Sequence, residues 1–224
     1  MADEIAQEFF SIDEKTAATL RDGLENLLKT YSGDERKATE IADMLVAKYS
    51  EKRRAYHNLW HINTLLAGVD GWQSDLSDQE TVRLAVWFHD AIYEPRKQTS
   101  ETESAALAVE SLLALNFPVA KIKRVEKMIL ATQKHMAKGL DDDGRLFLDF
   151  DLSILSAAPA IYKKYAQAIR REYSFVPEAL YREKRREILQ RFLQREKIFF
   201  TNKVKKLTES AARANIANEI KELS

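Results

Sequence analysis

Apolar residues return every third or fourth position along most of this chain, the spacing that gathers them on one face of a helix instead of alternating across a strand. Segments 12–31 and 35–50 carry this pattern and are parted by Ser32-Gly33-Asp34, a turn followed by a capping aspartate, so they read as an N-terminal helical hairpin. The same spacing predicts helices over 57–72, 78–93, 101–115 and 119–137. Ser77-Asp78-Gln79-Glu80 and Ser100-Glu101-Thr102-Glu103 match the capping box, in which the serine accepts from the N3 amide while the glutamate reaches back. Gly139 and the acidic stretch Asp141-Asp142-Asp143-Gly144, read as a loop, end the fourth of these helices. Segment 146–152 alternates apolar and acidic residues and reads as the entry to another helix. Helices over 159–173, 178–199 and 205–223 complete the set, with Pro159 and Pro177 near starts, where a missing amide costs least.

No repeat, low-complexity tract or linker breaks this series. The expected fold is therefore all-α, one helical domain over 1–224 made of the 1–50 hairpin, a core over 51–156 and C-terminal helices over 157–224. Composition agrees: six glycines and four prolines leave little turn material for a many-stranded β fold or a glycine-rich nucleotide loop. Lys plus Arg and Asp plus Glu both count 35, so no global excess advertises nucleic acid or an anionic membrane as partner. The one local excess lies between 181 and 206, ten Lys/Arg against three Glu; as it alternates with an apolar stripe, it reads as a solvated helix surface ahead of an RNA-binding one. The N-terminus, MADEIAQEFF, is acidic and lacks the basic and apolar regions of a signal peptide, and no apolar run approaches membrane-spanning length, so a soluble, cytoplasmic protein is expected, with an oligomer left open.

Cysteine is absent, so disulfides, thiolate metal sites and cysteine nucleophiles are excluded, and any metal ligands must be nitrogen or oxygen. The four histidines are His57, His61, His89 and His135. His57 and His61 stand one helical turn apart, at the edge of the apolar arc formed by Leu59, Ile62, Leu65, Leu66 and Val69, a boundary that suits a cleft wall. His89 falls within the stripe Val82, Ala85, Val86, His89 and Tyr93, so it should be buried, with the Asp90 carboxylate beside it. Either a backbone carbonyl or a metal ion would satisfy such an imidazole. Asp149 and Asp151 interrupt an otherwise apolar run, and a buried carboxylate needs a cation or a capping role. Arg53 and Arg54, just before Tyr56-His57, stand where a phosphate could be reached, although a solvated helix end explains them equally well.

The set Tyr56-His57-Asn58-x-x-His61, Phe88-His89-Asp90 and Asp151-Leu152-Ser153 resembles the HD superfamily of metal-dependent phosphohydrolases, in particular a bacterial branch of predicted HD phosphohydrolases. The first and last elements are also similar to cyclic-nucleotide phosphodiesterases. The likeness extends to the tail Glu209-x-x-Ala212-Arg213-x-Asn215. It implies His61, His89, Asp90 and Asp151 as ligands of a divalent ion, with manganese or iron favoured over nickel, cobalt, zinc or magnesium. It implies His57 as general acid, Asp90 in the catalytic group, and His135 as a substrate contact or a ligand of a second metal. Arg54, Glu101 and Asp149 are further candidates for substrate or second-metal contact.

The implied activity is hydrolysis of a phosphomonoester or phosphodiester, on a nucleotide or related small molecule, by water activated at the ion. Alternatives on the same scaffold are a cyclic-nucleotide phosphodiesterase, a di-iron oxygenase, and a metal-stabilised module that binds a nucleotide or a protein without turnover.

Overall fold

A computed structural model describes residues 9–223; most of the acidic N-terminal stretch, residues 1–8, lies outside the described residues. The described residues are helical, with no strand among them. Ten α-helices follow in order: α1 (Glu14–Lys29), α2 (Glu35–Tyr49), α3 (Leu59–Gly71), α4 (Gln79–Phe88), α5 (Ser100–Ala114), α6 (Val119–Thr132), α7 (Asp142–Asp151), α8 (Pro159–Glu172), α9 (Glu178–Gln194) and α10 (Asn202–Glu222). A 3₁₀ turn, Leu152–Ser156, continues directly from α7. No described helix is long and apolar enough to cross a membrane.

Helix starts follow the capping chemistry of the sequence, with shifts that matter. Asp13, Asp34, Asn58, Asp78 and Asp141 each accept an amide hydrogen bond at the N-terminus of α1, α2, α3, α4 and α7. The expected serine caps are therefore displaced by one residue. Ser77 donates its hydroxyl to Asp143 at 2.6 Å while Asp78 caps α4. Ser100 is already helical, and its Oγ accepts the Glu94 amide. The acidic stretch 141–144 is the first turn of α7 and not a loop. Asp143 is buried there because the Ser77 and Asp78 amides and the Arg124 guanidinium surround its carboxylate.

Three helices stop short of the apolar periodicity, each where distant side chains take over the backbone groups. α4 ends at Phe88 instead of 93, since Arg54 takes the Asp90 and Ala91 carbonyls and Ser104 takes the Ile92 amide. α6 ends at Thr132 instead of 137, with Arg195 on the carbonyls of Lys134 and His135. α9 ends at Gln194 instead of 199, where Arg213 takes the carbonyls of Leu193 and Arg195 and Glu209 takes the amides of Ile198 and Phe199. The main hydrophobic cluster runs from Leu24 in α1 to Ile216 in α10, with Trp87, Phe88 and Phe147 fully buried within it. A smaller cluster joins Phe10, Tyr56 and Ile169. Gly68 lets α3 lie close to α7, for a Cβ there would stand 3.1 Å from the Phe150 ring. That approach brings the ends of α3, α4 and α7 together.

Candidate metal centre

Where these elements meet, imidazole and carboxylate atoms converge. His61, on the first turn of α3, and His89, at the C-terminal end of α4, are both buried, and their Nε2 atoms lie 3.2 Å apart. Asp151, the last residue of α7, places Oδ1 3.4 Å from His61 Nε2 and 3.7 Å from His89 Nε2. One ligand atom from each of the three lies within 4.8 Å of the others, a spacing that can hold a metal ion. Asp90 stands at the edge of this group, its Oδ2 3.2 Å from His89 Nε2 and 4.0 Å from His57 Nε2.

Protonation is decided locally. His89 Nδ1 faces the Val86 carbonyl at 2.8 Å, an acceptor only, so Nδ1 carries a proton and Nε2 is the atom offered to the centre. Burial would depress the His89 pKa, but the Asp90 and Asp151 carboxylates outweigh it and raise it to about 9. Burial likewise opposes ionisation of those two carboxyls. Even so, His89 and His57 hold Asp90 below its ordinary value, and hydrogen bonds from His135 and His61 hold Asp151 well below it. His61 is pushed down by burial and stays neutral at neutral pH. Its Nδ1 is buried with no hydrogen-bond partner among the described residues. Packing against Tyr56 and His89, with ring centroids at 5.0 and 5.3 Å, sets the orientation of this ring.

The residues present fit a divalent cation. Nitrogens of His61 and His89 and an oxygen of Asp151 face one small volume, with Asp90 at its edge, and a cation in the place of the His89 Nε2 proton would meet the same acceptors. A mixed nitrogen and oxygen set without thiolate suits first-row divalent ions.

His57 lies outside α3, whose cap is Asn58, so the two histidines do not stand one turn apart on a helix; their rings are nevertheless 5.7 Å apart. His61 is also fully buried, where the sequence put it at the edge of the apolar arc. His57 is held by a residue that sequence reasoning missed, Glu172 at the end of α8. The Nδ1 of His57 meets Glu172 Oε2 at 2.7 Å, the amides of Tyr56 and His57 donate to Oε1, and the Tyr93 hydroxyl donates to Oε2 at 2.7 Å. Burial opposes a charge on either group. Yet the Glu172 carboxylate raises the His57 pKa above its ordinary value, and His57 with the two amides lowers that of Glu172. His57 Nδ1 thus faces the Glu172 carboxylate, an acceptor, and Nε2 is directed toward Asp90.

Of the remaining candidates, His135 joins the centre and the others do not. His135 follows α6 in the left-handed region, φ +44°, and its Nε2 is 2.9 Å from Asp151 Oδ2, on the side of the carboxylate away from His61. Asp149 points elsewhere: it accepts from the amides of Phe200 and Thr201 and from the Thr201 hydroxyl, fastening the turn before α10. Neither aspartate caps a helix N-terminus with its side chain: Asp149 lies inside α7 and satisfies its carboxylate on residues 51 and 52 positions later, and Asp151 makes no capping bond. Arg54 is not available to a phosphate. It is buried, donates to the carbonyls of His57, Asp90 and Ala91, and stacks on Tyr49 and Tyr93. Arg53 pairs with Glu51 and Glu94. Glu101 lies half-buried on the first turn of α5, outside the converging group. In the tail, Glu209 and Arg213 hold the turn after α9, and Asn215 donates to the carbonyls of Leu155 and Ala157 beside the 3₁₀ turn that follows Asp151.

The rim of the centre is solvent-accessible, with His57, Asp90, Asp151 and His135 side chains exposed by 21%, 17%, 12% and 27%, while His61 and His89 are closed off at its base. Comparison with protein-family models, curated proteins and solved structures finds no match to this chain.

Proposed function

We propose that this protein is a metal-dependent phosphohydrolase with an HD-type helical fold, acting on a phosphomonoester or phosphodiester of nucleotide size. The observation that carries the reading is the division of the convergent histidines. His61 and His89 are buried beside Asp151 and Asp90 as a ligand set, whereas His57 stands at the rim, backed by Glu172, whose carboxylate favours its charged form.

His61, His89, Asp90 and Asp151 would hold a divalent ion, manganese or iron by resemblance, which when bound supplies Lewis acidity toward phosphate and lowers the pKa of water. The chain's own groups do the rest. Asp90, 4.0 Å from His57 Nε2 and 3.2 Å from His89 Nε2, keeps the two rings facing one opening. His57 holds its transferable proton at Nε2, and Glu172 stabilises the imidazolium that donates it to a leaving oxygen, a contribution on the order of 10²–10⁴ in rate. Tyr93 steadies Glu172 from the other side. His135 donates to the outer oxygen of Asp151, which fixes the carboxylate's rotation.

The test is elemental analysis of the purified chain, then a phosphatase and phosphodiesterase screen with and without added manganese. The expected result is a bound transition metal and manganese-dependent turnover, both lost in Asp90→Ala. Retention of metal and activity in that variant would exclude this site. Nucleotide-dependent thermal stabilisation without product would favour the non-catalytic binding module instead.

A further inference from the structure

A cleft of about 700 Å³ opens on residues none of which belongs to the metal centre. Its walls come from the end of α3, the segment after His135, the start of α7 and the turn into α10. Four cations line it, Lys138, Arg145, Lys197 and Lys203, against the carboxylates of Asp75 and Asp142, an excess of two positive charges. Lys197 and Lys203 belong to the basic 181–206 segment, whose other cations are in part already engaged. Arg185 is buried on Glu219, and Arg182 and Arg195 are spent on backbone carbonyls.

The cations of the cleft are held loosely. Arg145 meets Asp142, which is 88% exposed, and Lys203 meets Asp75 at 2.8 Å, both surface pairs of small worth that a stronger anion displaces. Lys197 donates to the Phe200 carbonyl at 3.2 Å and lies near enough to Asp149 for its charge to be felt there, and Lys138 is exposed with no ion pair among the described residues. Two half-buried aromatic rings, Trp72 and Phe200, share the lining, and the Lys203 ammonium sits 4.6 Å over Trp72. The floor is rigid, because the buried Asp149 carboxylate binds the amides of Phe200 and Thr201. The volume lies within the range of small-molecule sites, about 300–1,000 Å³.

We propose that this cleft binds a phosphorylated small molecule with a planar ring, of the nucleoside polyphosphate class. Its phosphates lie among the four cations and its ring lies against Trp72 and Phe200. The site is independent of the phosphohydrolase reading, since no lining residue is shared with the metal centre.

Isothermal titration of the full chain in a chelating buffer, with ADP and with inorganic pyrophosphate as probes, tests this. One ADP per chain is expected, with affinity falling as salt rises, dropping at least about tenfold in Lys138→Glu/Lys197→Glu, and unchanged in Asp90→Ala. Both lysines are exposed, and circular dichroism verifies that the double variant is folded. Absence of saturable ADP binding, or binding that survives charge reversal but is lost in Asp90→Ala, would overturn the assignment. Pyrophosphate binding as tightly as ADP, with Trp72→Ala silent, would overturn the ring contact and with it the ligand class.

Discussion

Glu172 and His57 are joined by a 2.7 Å contact across 115 residues of sequence, and the same carboxylate holds the two backbone amides that deliver the imidazole to the site. Glu172→Gln keeps the amide bonds through its carbonyl oxygen but removes the charge opposite Nδ1. The expected outcome is retained metal, kcat lowered about 10²-fold, and an alkaline limb of kcat moved to lower pH, because His57 then loses its proton more readily. A pH-rate profile beside metal analysis measures this. An unshifted limb would show that Glu172 only supports the fold.

Asp151 presents one oxygen to His61 and His89 and the other to His135. The inward oxygen belongs to the ligand set and the outward one to the hydrogen bond, so the two neighbours respond differently to truncation. His61→Ala is expected to abolish metal binding. His135→Ala is expected to keep one ion per chain and to lower turnover through a looser carboxylate. If the wild-type chain holds two ions and His135→Ala one, His135 is a ligand.

The all-α character and most helix starts were legible to within a residue or two because they depend on local spacing and caps: Asp34 needs only the amide three residues ahead, and the Ser77 box marks the start of α4 although Asp78 supplies the cap. His89 was legible too, since the α4 stripe buries it whatever the rest of the chain does. Glu172 was not. In sequence it follows two arginines at a helix end and looks like a solvated acid, and only the packing of α8 against residues 56–57 buries it. Arg54 misled for the converse reason: a cation beside His57 suits a phosphate until the fold wraps three carbonyls around it. The helix ends at Phe88, Thr132 and Gln194 were hidden similarly, because Arg54 acts from 36 and 37 positions before the carbonyls it takes, Arg195 from 60 and 61 positions after, and Arg213 from 18 and 20 positions after.

Proton and metal compete for His89 Nε2. In chelated protein the folded pKa of His89 is about 9, above the ordinary 6.5. A raised pKa contributes stability that is full below 6.5 and is lost as pH climbs through about 9. The melting temperature of chelated wild type should therefore fall across this window relative to His89→Gln, which has no proton to lose. Added manganese should stabilise wild type more as pH rises through the same window, since binding no longer has to displace the proton. Calorimetry of both proteins with and without chelator measures each slope. Parallel curves for wild type and variant would mean that His89 is not charged in the chelated fold.

Arg54 is fully buried at its side chain, with Glu51, 36% exposed, as its single carboxylate partner among the described residues; its other acceptors there are the carbonyls of His57, Asp90 and Ala91. It thereby ties the loop bearing the proposed acid to the turn bearing two proposed ligands. Arg54→Met keeps much of the volume but leaves those carbonyls unpaired, at a cost of about 1–3 kcal/mol for each one that water cannot reach. We expect destabilisation of about 3 kcal/mol by denaturant melts, with metal affinity weakened in parallel. Arg54→Lys should recover only part of the loss, because an ammonium cannot span the acceptors that the planar guanidinium meets together. A phosphate-binding arginine would behave otherwise: either variant would raise KM and leave stability and metal content unchanged.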